Sequence, residues 1–130
     1  MTRGERNCNP GNIRIVPGVT WFGQSDTQTD ESFVQFKDPI YGIRAITRIM
    51  RSYQRQGLLT LSEAIDRWAP PNENNSQAYV TSVCTQCGIG PDDAVDFYTI
   101  MPQLVSAIIR HENGEMIYTP QQIDEGIGLA

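Results

Sequence analysis

The stretch "SAIIRHENGEM", residues 106–116, sets a glutamate at the end of an aliphatic run. Leu104, Val105, Ile108 and Ile109 share one face of a helix. Glu112, four residues beyond Ile108 and three beyond Ile109, continues that face. It also falls in the final turn, where the helix dipole is negative. Dry neighbours and a negative helix end both disfavour the ionised carboxyl. A carboxylic acid kept protonated near neutral pH is what a general acid needs in order to protonate a leaving oxygen. Spacing alone fits a frayed helix end, with Glu112 merely solvated, at least as well. His111, the only histidine, lies off the centre of the apolar face and reads as a structural or supporting group.

Other reactive residue types give weaker patterns. Cys8, Cys84 and Cys87 are odd in number, which argues against a disulfide framework. "CTQC" has no second pair, and one histidine leaves a zinc site short of ligands. A redox CxxC would follow a strand at a helix start, whereas this one lies near a helix end, before Gly88. The cysteines read as structural, and no metal or other cofactor is expected. Arg44, Arg48, Arg51 and Arg55 recur at i, i+4, i+7 and i+11, a basic stripe on one helix face. A solvated face is the simpler reading. An anionic polymer is the sharper one, but a net charge of −5 makes nucleic acid an unexpected partner. The charge is uneven: residues 1–60 hold eight Arg/Lys and five Asp/Glu, residues 61–130 two and ten.

The elements that position these residues follow from punctuation and periodicity. With 130 residues, no linker and no repeat, the chain reads as a single domain, 1–130. No apolar run is long enough to span a membrane. The polar start, "MTRGERNCNPG", has no apolar signal core, so the expectation is cytoplasmic synthesis. Residues 1–11 look turn-forming. "NIRIV" (12–16), "TWFGQ" (20–24) and "FVQF" (33–36) read as three short strands of an antiparallel meander. Asp38 and Pro39 open a helix that Gly57 ends, with Ile43, Ile46, Met50 and Tyr53 as its apolar stripe. Thr60 and Glu63 suggest a capping box for a second helix. "PPNENNS" is a loop, and Ser76 caps a third helix ending at Gly88. "GPDDAVDF" is a short turn or helix. The glutamate helix starts near Pro102, and Thr119 with Pro120 opens a last short helix. The fold class is α+β, mainly α, with one small sheet near the N-terminus.

Three segments carry a resemblance. "AIIRHENG" resembles the "AIIxxESG" segment of the lysozyme-like superfamily, above all lytic transglycosylases and related muramidases, in which the helix ends at the catalytic glutamate. "EGIGLA" (125–130) is similar to the "GAxGLMQ" stretch that follows it. "NPGNIR", then "W-x-G-Q", then "FVQFKDPIYGIRAI" resembles the hairpin of the bacterial glucosaminidase branch. The order is reversed, hairpin first and glutamate last, as a circular permutation would make it. "RGERNCNPGNIR" also resembles small phage virion-associated or lysis proteins that open with "RGxRNNNPGNIR". This chain departs from the pattern in having Asn113 where many relatives have Ser, and in lacking a full GLMQ.

The resemblance implies a lysozyme-like helical domain acting on the glycan strand of peptidoglycan, in the periplasm or from the virion. Glu112 would protonate the oxygen between two sugars. Glu5, between arginines in a polar turn, is the poorer acid. A second carboxylate, if used, would come from the hairpin loop: Asp30, beside the third strand, ahead of Asp26, as a base positioning water. Without one, a lytic transglycosylase needs only the glutamate and the substrate's own hydroxyl. Asn12, Trp21, Gln24, Asp26 and Tyr118 are the candidate substrate contacts, while Trp68 reads as packing. The alternative is a non-catalytic virion structural or wall-binding protein on the same scaffold, with other virion proteins as partners.

Overall fold

Short polar side chains set most of the helix starts. In the computed structural model, which describes residues 1–71 and 75–130, six helices carry the chain. Asp38 accepts the Ile40 N–H and Pro39 takes the first position of α2, Pro39–Arg55. Thr60 Oγ1 accepts the Glu63 N–H and starts α3, Leu61–Trp68. The capping box expected there is only half made, because the Glu63 carboxylate meets the Thr60 hydroxyl rather than its N–H. Thr119 and Gln122 complete a true capping box on α6, Pro120–Gly128.

Three boundaries differ from the sequence expectation. The N-terminal turn region contains a four-residue helix, α1, Arg3–Arg6, closed by a capping box between Thr2 and Glu5. Asn75, not Ser76, caps α4, Ser76–Cys87, by accepting the Ala78 N–H. The expected loop "PPNENNS" falls partly on residues 72–74, outside the described residues. The glutamate helix, α5, runs Phe97–Asn113 and starts five residues before Pro102. Asp96 accepts the Tyr98 N–H and caps it, and one missing N–H inside the helix is tolerated there.

The predicted meander is not formed as a sheet. Among the described residues only two isolated antiparallel bridges appear, Arg14 with Phe33 and Gln24 with Phe36. Side chains take over the rest of the pairing. The buried Asn9 accepts the Ile13 N–H and donates to the carbonyls of Ile13 and Val34. Asp30 accepts the N–H groups of Ser32 and Phe33. Short polar side chains that bond the local backbone compete in this way with a ladder.

Helix α5 is the centre of the molecule. Met101, Leu104, Val105, Ala107, Ile108 and Ile109 are wholly buried against α2, α4 and α6. Burial of each large aliphatic side chain contributes about 1.5–3 kcal/mol. Helices α2 and α6 touch closely at Gly126, where an added Cβ would lie 2.4 Å from Ile43 Cγ2. The basic stripe on α2 is partly structural: Arg44 lies over Phe22 and Arg51 over Tyr98, at 4.8 and 4.6 Å from the ring centres. Arg48 and Arg55 are exposed.

Candidate active site

Gly114 ends α5 in the left-handed conformation, φ 83°, so the helix holds its form through Glu112 and Asn113 instead of fraying. These adjacent residues grip one segment of the chain's beginning. Asn113 is buried. Its Nδ2 donates to the Pro10 carbonyl and to the Ile109 carbonyl, both at 2.9 Å, and its Oδ1 accepts the Thr2 hydroxyl at 2.7 Å. Glu112 Oε1 accepts from Asn12 Nδ2 at 3.0 Å. Asn12 itself has φ 48°, a left-handed backbone that asparagine tolerates better than most residues. The departure "HEN" for "HES" thus has a structural reason: the asparagine fastens the segment that carries Asn12.

The second carboxylate oxygen is held from another direction. Tyr79 on α4 donates its hydroxyl proton to Glu112 Oε2 at 2.8 Å. Trp68 Nε1, at the end of α3, donates to the same phenol oxygen at 3.0 Å. An indole N–H can only donate, so the phenol proton is directed at Glu112. Burial, with the Glu112 charge beside it, raises the Tyr79 phenol well above its ordinary range. It therefore stays a neutral donor. His111 stacks on Tyr79, ring centres 3.8 Å apart, in the supporting place expected of it.

Glu112 opens onto a cavity of about 520 Å³. One wall is the N-terminal segment: Asn12, Arg14, Val16, Val19, Trp21 and Phe33. The other is Ile49 of α2 with Arg67, Trp68, Ala69 and Pro70. Glu112 is the only carboxylate among the described lining residues. Two indoles, aliphatic walls and one acid fit a small polar ligand with apolar faces, the character of a sugar ring.

The structure gathers some of the predicted residues and not others. Glu112, Asn12 and Trp21 meet at the cavity. Asp30 does not line it. Its oxygens accept from Arg3, at 2.7 Å in a bidentate pair, from Asn7, and from two backbone N–H groups. The Arg3 guanidinium, Asn7 and those backbone groups hold this carboxyl far below the usual carboxylate range. A carboxylate so occupied has no free oxygen with which to activate water, so the structure assigns Asp30 to the N-terminal framework. Asp26 is exposed and also off the cavity. Gln24 closes a turn by accepting the Trp21 N–H. Tyr118 lines a separate hollow of about 250 Å³ near the start of α6. Burial first, with Cys8, Glu5 and Asp38 adding, pushes its phenol up to about 12. The cysteines are free, and burial pushes the Cys87 thiol up to about 11, far from a reactive thiolate. Among the described residues no three His, Cys, Asp or Glu gather as a metal site requires.

No model of a known protein family matches the chain. A search of characterised proteins finds Protein P5 of Pseudoalteromonas phage PM2, 39% identical over 127 residues, which cover 95% of this chain and 79% of that protein. The chain belongs to the family of Protein P5. The match runs through nearly the whole chain, and so through both the N-terminal segment and the glutamate helix. The relative's name specifies no chemistry, and its phage origin is what the family membership adds. Among the described residues no helix is long and apolar enough to cross a membrane.

Three residues of the site were missed from sequence. Trp68 was read as packing and Tyr79 was not singled out. Each is an aromatic with a polar tip that needs a partner when buried, and that requirement was the available signal. Arg67 was missed too, being one solvated arginine among ten cationic residues.

Proposed function

We propose that this chain is a phage peptidoglycan-degrading glycosidase, a circularly permuted relative of the lysozyme-like superfamily, with Glu112 as its single catalytic carboxyl group. The observation that carries the reading is Glu112, the one carboxyl group among the described lining residues, facing a sugar-sized cavity lined by Trp21 and Trp68, with both of its oxygens already oriented. In this reading Glu112 acts as the acid, passing a proton to the glycosidic oxygen as the bond to the anomeric carbon breaks. Asn12 and Tyr79 then hold the carboxylate that results, through hydrogen bonds strengthened by its charge. That carboxylate takes back the proton of a sugar hydroxyl as its oxygen attacks the anomeric carbon, which closes an anhydro ring and restores the acid. A second carboxylate is not needed on this route, so the reading favours the lytic transglycosylase over an inverting hydrolase, which would place two carboxyl groups about 6.5–9.5 Å apart across the substrate.

The test is digestion of purified peptidoglycan with mass spectrometry of the products. The expected result is anhydro-sugar ends, lost by a factor of about a thousand or more in Glu112→Gln, an isosteric change that keeps the side chain's shape. Reducing ends would move the reading to a hydrolase. Intact polymer, or equal action by Glu112→Gln, would overturn it and leave a non-catalytic virion scaffold.

A further inference from the structure

We infer that the cavity selects an acidic glycan, with Arg14 and Arg67 as the residues that receive its carboxylate. This rests on the glycosidase reading of the same cavity. The wall on the N-terminal segment contributes Arg14, and the wall at the end of α3 contributes Arg67. Among the described residues the only ion pair is Arg3 with Asp30, and neither of these two guanidiniums is paired with a described carboxylate. Glu112 forms no ion pair with either of them, its oxygens accepting instead from Asn12 and Tyr79.

Both guanidiniums are braced rather than loose. Arg14 lies over the Phe33 ring at 5.0 Å and Arg67 over the Tyr53 ring at 5.8 Å. Arg67 also donates to Gln56 Oε1 at 3.3 Å. Ring stacking leaves the edge of a guanidinium free to donate in plane, the geometry that meets a carboxylate bidentately. The chain as a whole carries −5, yet among the described lining residues two cations stand against one carboxylate. A local surplus of cations opposite to the molecule's net charge favours an anionic ligand there. The shared ligand chemistry is a carboxylate, either ether-linked to the sugar ring or carried by a peptide attached to it.

The experiment is calorimetric binding to the full chain bearing Glu112→Gln, which removes turnover. Three probes are used: a neutral tetramer of N-acetylglucosamine, a peptide-free oligomer of alternating N-acetylglucosamine and N-acetylmuramic acid, and the same oligomer with its peptides. The acidic oligomers should bind at least tenfold more tightly than the neutral one, and the preference should shrink as salt rises. Arg14→Gln or Arg67→Gln should each weaken acidic binding about tenfold and so narrow the preference over the neutral tetramer. If the peptide-free oligomer keeps the preference, the ring carboxylate is the group recognised; if only the peptide-bearing one does, it is the peptide's. Thermal unfolding of each arginine variant checks that its fold is intact. Equal affinity for all three probes, or arginine variants without effect, overturns the inference while the glycosidase reading stands. No binding to any glycan overturns both.

Discussion

Replacing Asn113 by Ala should destabilise the protein by about 2–3 kcal/mol. The estimate follows from its three hydrogen bonds. The Ile109 carbonyl lies inside α5, so losing the side chain there costs little. The Pro10 carbonyl and the Thr2 hydroxyl lose a buried partner, at roughly 1 kcal/mol each, with some added penalty for groups left unsatisfied. For a domain of this size, an unfolding entropy of about 2.1 cal/mol/K per residue turns that loss into a melting point lowered by roughly 7–11 °C. Asn113→Asp should be worse than Asn113→Ala at pH 7, although it is isosteric. It replaces the amide donor with an acceptor 2.9 Å from two carbonyl oxygens. The assay is urea unfolding with calorimetry. A melting point within about 2 °C of the parent for Asn113→Ala, or an Asp variant firmer than the Ala variant, would refute the idea that this side chain fastens the N-terminal segment.

Tyr79→Phe removes the donor to Glu112 Oε2 and the acceptor of the Trp68 N–H; glycan cleavage should fall about ten- to a hundredfold with a shift in tryptophan fluorescence, read by rate assay and emission spectrum. Asp30→Asn tests acid stability. Because the folded carboxyl is held far below its ordinary value, its stabilisation is present above the unfolded value of about 4 and is lost as pH falls below it. The melting-point gap between parent and Asp30→Asn should therefore be widest near neutrality, begin to narrow at about pH 4 and go on narrowing as pH falls toward the much lower folded value. In α6, Gly126→Ala presses a Cβ to 2.4 Å from Ile43 Cγ2 and should cost about 1–3 kcal/mol. Gly128→Ala in the same helix meets nothing within 4 Å and should be neutral or stabilising by up to about 1 kcal/mol, both read by urea unfolding.

What was legible in the sequence was local. Asp38–Pro39, Thr60 and Thr119–Pro120 announce their helices because a cap and the N–H it binds are at most three residues apart. The face of Glu112 was legible from the 3.6-residue period. The sheet was not, because Ile13, Val34 and Phe36 have the side chains of strands while Asn9, Asp30 and Gln35 divert the backbone bonds. Nothing within a few residues of Asp30 points to Arg3, 27 positions earlier, whose guanidinium fixes its role. The start of α5 was missed because Pro102 reads as a first helical position, while Asp96 gave a fainter signal. The partners of Glu112 lie 33 and 100 positions away, beyond any pattern of spacing.

The clasp between Asn12 and Glu112 joins the first tenth of the chain to the last fifth. A chain is synthesised from its N-terminus, and its early portions collapse first. Here, though, α5 with Glu112 is made after the segment that carries Asn12 and after α2 and α4, which it must meet. A nascent chain that has not reached residue 112 therefore carries Trp21, Trp68 and Tyr79 but not the carboxyl group they surround. The cavity is therefore completed only when two segments a hundred positions apart have paired, and neither segment makes it alone.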